Sequence, residues 1–182
     1  MVIKENKMNN NILVTYASSY GATKEIAEKL AELLQNSGLQ AEVLPVKEVN
    51  DVAPYKAVVL GSAVYVGAWL KEAVEFLKTH EKALAELPVW LFSSGPTGEG
   101  DPVNLLEGKI LPAALQPVVD SIQPRDVAVF HGYINPNKLN FAQKWLVTKL
   151  VKKPMGDFRD WESISTWAAS IAGMLNETQY SQ

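Results

Sequence analysis

Short apolar runs alternate with segments of helical period along most of the chain, and this alternation narrows the choice of fold more than any other feature. Residues 12–17 (ILVTYA) are apolar and rich in β-branched side chains, as a buried strand requires. Ile26, Leu30, Leu33 and Leu34 then recur at helical spacing. Glu25, Glu28, Lys29 and Glu32 fill the opposite face, and Gly38 supplies a stop. Residues 41–46, 57–61, 89–93 and 126–131 read as four further strands, and 69–78 as a helix with Leu70, Ala73, Val74 and Leu77 on one stripe. Asp160 is placed to cap a last helix with the stripe Trp161, Ile164, Ala168, Ile171 and Leu175. Strand–helix alternation of this kind predicts an α/β fold, a parallel sheet with helices on both faces and right-handed crossovers.

At 182 residues the chain suits one domain. Its 47% hydrophobic and 20% charged content supports a packed core and argues against disorder. It has no cysteine, which excludes disulfide scaffolds, thiolate metal sites, iron–sulfur clusters and cysteine nucleophiles. Two histidines, His80 and His131, leave little for a histidine metal site; His131, at the end of the fifth strand, reads as structural. The formal net charge of −3 gives no overall basic excess and predicts no nucleic-acid partner. No run reaches the ~18 apolar residues of a membrane span. Residues 1–11 lack the apolar segment of a signal peptide, and read as a flexible lead-in to a cytoplasmic protein. The expected organisation is this lead-in, a domain over 12–177 with an insertion at about 136–157, and a tail at 178–182.

In doubly wound sheets ligands sit beyond the carboxyl ends of the strands, where the strand order switches. Three segments at such ends carry the chemistry. Ser18-Ser19-Tyr20-Gly21-Ala22-Thr23 lies between the first strand and first helix, where hydroxyls, unpaired N–H groups and the helix dipole suit a phosphate. It contains no lysine or arginine, and Lys24 is the first cation; without the Gly-Lys-Ser/Thr ending it is no Walker A loop. A helix cap of small polar residues is the plainer reading of the same string. The second segment, 62–69, sets Tyr65 among the small residues Ala63, Val64, Val66 and Gly67, so that an aromatic ring can lie against a planar ligand; Trp69 reads as a core anchor. In the third, 94–101, Ser94, Gly95, Pro96, Thr97 and Gly98 allow a backbone to approach a flat ligand, and Asp101 follows; its plainer reading is a surface turn.

Taken together at the ends of strands one, three and four, these segments resemble the flavodoxin-like family over about residues 11–175. Ser18, Gly21 and Thr23 match that family's phosphate loop, and Tyr20 departs from it, standing where Thr or Ser is usual. The resemblance implies a flavodoxin-like three-layer sandwich with a five-stranded parallel sheet in the order 2-1-3-4-5, and non-covalently bound FMN. It implies that Ser18, Ser19, Gly21, Ala22 and Thr23 hold the phosphate. Ala63, Val64, Tyr65 and Gly67 would then line one side of the flavin ring system, and Gly95, Pro96, Thr97 and Gly98 the other, with Asp101 nearby. No catalytic side chain and no metal ligand is expected, since the flavin carries the redox chemistry. Acidic Glu99 and Asp101 near the flavin would lower its potential.

Residues 135–158 are longer than a strand-to-helix connection needs, and positive charge is concentrated over 133–159. Lys138, Lys144, Lys149, Lys152, Lys153 and Arg159 stand there against the single Asp157, a net charge of +5 that leaves −8 on the rest of the chain. Phe141, Trp145, Leu146, Val147, Leu150 and Val151 share the segment. A helix over 139–153 would put Leu139, Leu146 and Leu150 on one face and Phe141 and Trp145 on nearly the opposite one. One face then packs on the domain, and the other is available to a partner, a membrane surface or a large apolar substrate; burial on both sides, as at a dimer interface, is the alternative. With Asp160-Trp161-Glu162, this basic-aromatic insertion is similar to the menaquinone-dependent protoporphyrinogen oxidase branch of flavodoxin-like proteins. That branch implies an FMN-dependent oxidoreductase with a porphyrinogen substrate and a quinone acceptor; peripheral membrane contact through 136–157 is what the segment's own residues suit. The loop after strand four, with Gly98, Gly100 and Asp101, is closer to plain flavodoxins, and keeps open an electron-transfer protein with a protein redox partner. A flavin-free binding or signalling domain is a third reading; a receiver's acidic cluster and phosphoacceptor aspartate are replaced here by Ser18, Ser19, Ser62 and Ala63.

Overall fold

The computed structural model describes residues 11–145, 149 and 154–180. Five parallel strands form the sheet: β1 (Asn11–Ala17), β2 (Gln40–Pro45), β3 (Ala57–Tyr65), β5 (Val89–Ser94) and β6 (Asp126–Phe130), in the order β2-β1-β3-β5-β6. The two-residue β4 (Ala68–Trp69) folds back antiparallel on β3. Counting the long strands alone, this is the expected 2-1-3-4-5.

Side chains alternate across each strand, and the alternation sorts the core into two layers. Ile12 and Val14 of β1, Val59 of β3 and Trp90 and Phe92 of β5 face α1 (Ala22–Asn36) and α6 (Trp161–Tyr180). Leu13, Val58, Leu60, Val89 and Leu91 face α2 (Lys71–Leu84) and α4 (Gln116–Ile122). Helix α1 buries Ile26, Ala27, Leu30, Ala31 and Leu34, and pairs Lys24 with Glu28 and Lys29 with Glu32 outside. It stops at Gly38, where a φ of +83° lets Leu39 N–H return to the Leu34 carbonyl at 3.1 Å. On the α6 side Phe92, Phe130 and Trp167 meet in tilted and edge-on contacts at 5.5–6.1 Å. Trp167 Nε1 donates to Asp126 at 2.7 Å. A Cβ at Gly61 would lie 1.9 Å from the Phe92 ring, so the middle of β3 has no room for a side chain.

Several sequence boundaries move. Strand β3 runs four residues past Gly61, because pairing with β5 continues to Ala63–Ser94 and the β4 hairpin then takes over. The second helix accordingly begins at Lys71, not 69, and Trp69 is a buried strand residue whose Nε1 donates to Ser93 Oγ at 2.9 Å. Val46 belongs to a 3-10 turn after β2, and His131 lies beyond β6. Asp160 does cap α6, accepting from Glu162 and Ser163 N–H at 3.0 and 3.2 Å. Trp161 leaves the expected stripe: it is 38% exposed, with the Arg159 guanidinium over its ring. The region with Pro112 and Pro117 holds only the four-residue α3 (Pro102–Leu105), a 3-10 turn and α4.

The helix expected over 139–153 does not begin at Leu139. A 3-10 turn at Pro136–Lys138 precedes Leu139, which is extended (φ −99°, ψ 136°), and α5 is described over Phe141–Trp145. Before and after it, β7 (Tyr133–Ile134) and β8 (Gly156–Asp157) pair antiparallel. The expectations for Leu146, Val147, Leu150, Val151, Lys152 and Lys153, for residues 1–10 and for 181–182 fall outside the described residues.

Candidate functional site

The three strand-end segments meet at one cavity of about 280 Å³ beyond the carboxyl edge of the sheet. It lies where β1 and β3 send their connections to opposite faces, as a doubly wound sheet dictates. Of the residues singled out in the sequence, Ser18, Tyr20, Ala22, Thr23, Ala63, Val64, Tyr65, Val66, Ser94, Gly95 and Thr97 line it. Ser19, Gly21, Gly67, Pro96, Gly98 and Asp101 do not.

The first wall is the turn from β1 into α1. Gly21 takes a φ of +94°, and its N–H donates to Ser18 Oγ at 3.0 Å, which folds the loop back over the start of the helix. The first-turn N–H groups that follow have no partner within the helix. Thr23, 1% exposed, has a buried hydroxyl with no hydrogen-bond partner. Ser19 does not line the cavity; burial holds the Tyr65 phenol above its ordinary pKa, an effect that Ser19 offsets in part.

The second wall is the β3–β4 hairpin. Val66 and Gly67 at its tip both have positive φ, +50° and +73°. For a β-branched residue that conformation is strained. Val66 is fully exposed, and Tyr65 meets Tyr20 edge-on at 6.3 Å.

The third wall is backbone. A Cβ on Gly95 would come within 2.8 Å of the Val64 carbonyl, and one on Gly132 within 2.9 Å of the Gly95 carbonyl. The loop is pinned from behind: Gly132 N–H donates to the Pro96 carbonyl at 2.9 Å, and the His131 ring nitrogens lie 3.2 and 2.9 Å from the Pro96 and Gly100 carbonyl oxygens. His131 is thus a staple, as expected of a buried lone histidine. Thr97 lines the cavity, 2% exposed, with a second hydroxyl lacking a partner. Two buried, unpaired hydroxyls at one cavity are the mark of a site built for polar groups that arrive with a ligand. Asp101 is used elsewhere: its carboxylate accepts from Val103 and Asn104 N–H at 2.8 and 3.1 Å and caps α3. It does not line the cavity.

A fourth wall escaped the sequence reading. Gly132, Tyr133, Ile134, Asn135, Leu139 and Gln143 complete the lining. Gln143 Nε2 donates to the Tyr20 hydroxyl at 2.9 Å, and Lys138 Nζ to the Tyr20 carbonyl at 3.0 Å, so this wall is bonded to the first. The excess length of 135–158 marks the segment as special; which of its residues meet the cavity depends on contacts more than a hundred positions apart. On its outer side Phe141 and Trp145 are 86% and 56% exposed.

Arg159 anchors the base of this wall. Its side chain is 4% exposed, lies 2.6 Å from Glu25 of α1 and 2.7 Å from Asp157 of β8, and is flanked by the Tyr133 and Trp161 rings at 5.0 and 4.6 Å. Hydrogen bonding to Arg159 holds the Asp157 carboxyl below its ordinary pKa. Among the described residues no helix is long and apolar enough to cross a membrane.

Comparison with known proteins agrees with this architecture. The chain is 24% identical to a protoporphyrinogen IX dehydrogenase [quinone] of Escherichia coli K12 over 185 residues, 91% of this chain and 96% of that protein. It is also 24% identical to one from Leishmania major, over 89% of this chain and 74% of that protein. Among solved structures, a Streptococcus pneumoniae flavodoxin shares the fold with a TM-score of 0.55 and 18% identity, covering 90% of this chain and 99% of that one. Rubredoxin oxygen:oxidoreductase of Desulfovibrio gigas gives a TM-score of 0.60 at 17% identity, covering 95% of this chain, which spans 38% of that longer one. The family model for the flavodoxin domain matches residues 13–160, and the chain belongs to that family.

Proposed function

We propose that the chain is an FMN-dependent oxidoreductase that oxidises a porphyrinogen and passes the electrons to a quinone. The cavity fits the cofactor: it has an uncharged, N–H-rich turn for a phosphate, a backbone-lined slot beside Tyr65 for a flat ring, and buried unpaired hydroxyls on Thr23 and Thr97. In this reading Ser18, Gly21, Ala22 and Thr23 hold the phosphate, with Ser19 acting through Tyr65. Ala63, Val64, Tyr65 and Val66, with Gly67 shaping their turn, and Ser94, Gly95 and Thr97, with Pro96 and Gly98 shaping theirs, enclose the ring system. FMN supplies the electron-accepting chemistry, and the protein binds it, orients it and screens it from water. Leu139 and Gln143 close the side that a three-loop cavity leaves open.

The observation that carries the enzymatic reading is the fourth wall. A mere electron carrier has no need of a basic, aromatic segment bonded against its cofactor cavity. Phe141 and Trp145, exposed beside Lys144, suit a large apolar substrate that carries carboxylates, and the same face suits peripheral contact with an anionic membrane. The full-length similarity to two protoporphyrinogen dehydrogenases supports this choice of substrate and acceptor.

The test is quinone-dependent oxidation of protoporphyrinogen IX by the FMN-loaded protein, followed by porphyrin fluorescence. Turnover that falls at least tenfold in a Phe141→Ser, Trp145→Ser double variant supports the proposal. A protein that binds FMN and exchanges electrons with a small redox protein, but leaves the porphyrinogen untouched, is a flavodoxin-type carrier.

A further inference from the structure

The turn that begins α1 has no positive side chain of its own, yet the structure brings one to it from 118 residues away. Lys138 Nζ donates to the Tyr20 carbonyl at 3.0 Å, and a Cβ built on Gly21 would lie 3.4 Å from the same nitrogen. One of its three N–H donors is used, and among the described residues no carboxylate forms an ion pair with it. Glu25, whose Oε1 would lie 4.0 Å from the same Cβ, is engaged by Arg159 at 2.6 Å. Around the same turn stand the unpartnered N–H groups of the helix start and the orphaned, buried Thr23 hydroxyl.

We propose that Lys138 is the counter-charge of the FMN phosphate, so that the segment after β7 both walls the flavin and selects the phosphorylated form. The inference rests on the cofactor reading above and adds a residue that reading does not contain. The ammonium stays in place through the Tyr20 carbonyl and needs no rearrangement to face an anion. A phosphate dianion at the turn meets the helix N terminus from one side and Lys138 from the other. Riboflavin, which has the same ring system and no phosphate, would gain nothing from the lysine.

The experiment compares dissociation constants of FMN and riboflavin for the full chain and for Lys138→Gln and Lys138→Arg, by quenching of flavin fluorescence at low ionic strength. Loss of one charge-assisted contact predicts FMN binding weaker by about tenfold in Lys138→Gln. Riboflavin affinity should stay unchanged, and Lys138→Arg should restore most of the preference. In the unaltered protein inorganic phosphate should compete with FMN and not with riboflavin. Equal weakening of both flavins, or no change in their ratio, overturns the assignment while the FMN reading stands. An unaltered protein that binds neither flavin overturns the cofactor reading and this one with it.

Discussion

The cavity has two kinds of wall. Three are strand ends and their turns, held by the sheet's own hydrogen bonds and, at Gly95 and Gly132, packed backbone against backbone. The fourth, from Tyr133 to Trp145, is an addition. It rests on a two-residue β-pair, one buried arginine and two hydrogen bonds to Tyr20. The first kind is inseparable from folding, because the residues that shape it also build the core. The second is fastened by a few polar contacts, so it can change without unfolding the domain. The difference separates holding a cofactor from choosing what meets it.

The comparison breaks first where both walls depend on the core. Phe92→Ala removes a fully buried ring between Gly61, Phe130 and Trp167. It should cost about 3–5 kcal/mol in urea unfolding and weaken flavin binding with it. Arg159→Met should separate the two kinds of wall. Breaking a fully buried pair costs ~3–5 kcal/mol, but Asp157 and Glu25 are about two-fifths exposed, and solvent screening reduces the expected loss to about 2 kcal/mol. Hydrogen exchange should quicken at β7 and β8 and stay slow in β1, β3 and β5. The same pair makes the wall acid-sensitive. Asp157 is depressed below 3.8 by its hydrogen bond to Arg159, so its contribution is complete above that value and is lost as pH falls through the lower folded pKa. Arg159→Met should flatten that limb of the stability–pH curve.

Asp160→Ala removes the cap of α6, a core helix that begins where the added segment ends. It should cost about 1 kcal/mol, with no change in the ratio of FMN to riboflavin affinity. The smallest change has the opposite sign. Val66 is strained at the hairpin tip, and Val66→Asn, giving Asn-Gly in a turn with two positive φ angles, should stabilise by about 0.5–1 kcal/mol in thermal unfolding. If Val66 touches the ligand, the gain in stability will accompany weaker flavin binding.

What was legible follows from the range of each signal. Strand order and the two core layers come from periodicity within runs such as 12–17 and 89–93, and family membership from three short strings at strand ends. The apolar run 57–61 ends at Gly61 and predicts a loop over 62–69. Residues 62–65 stay in the strand because Ser94 lies opposite Ala63 and Trp69 opposite Val64. The resemblance implies Asp101 near the ligand, yet Asp-Pro-x-x is equally a helix start, and the N–H groups of α3 bond the carboxylate. The fourth wall depends on pairs such as Lys138 with Tyr20 and Arg159 with Glu25, 118 and 134 positions apart, and no local pattern encodes them.

The glycine contact beneath the cavity has a consequence for altering the protein by design. Where two main chains touch and neither tolerates a methyl group, point substitution has nothing to vary: any change at 95 or 132 moves the frame before it alters the lining. Diversity in a library must therefore come from Leu139, Phe141, Gln143 and Trp145, which project from a segment that the sheet does not need. A new specificity would be found by recasting that flank over an unchanged floor.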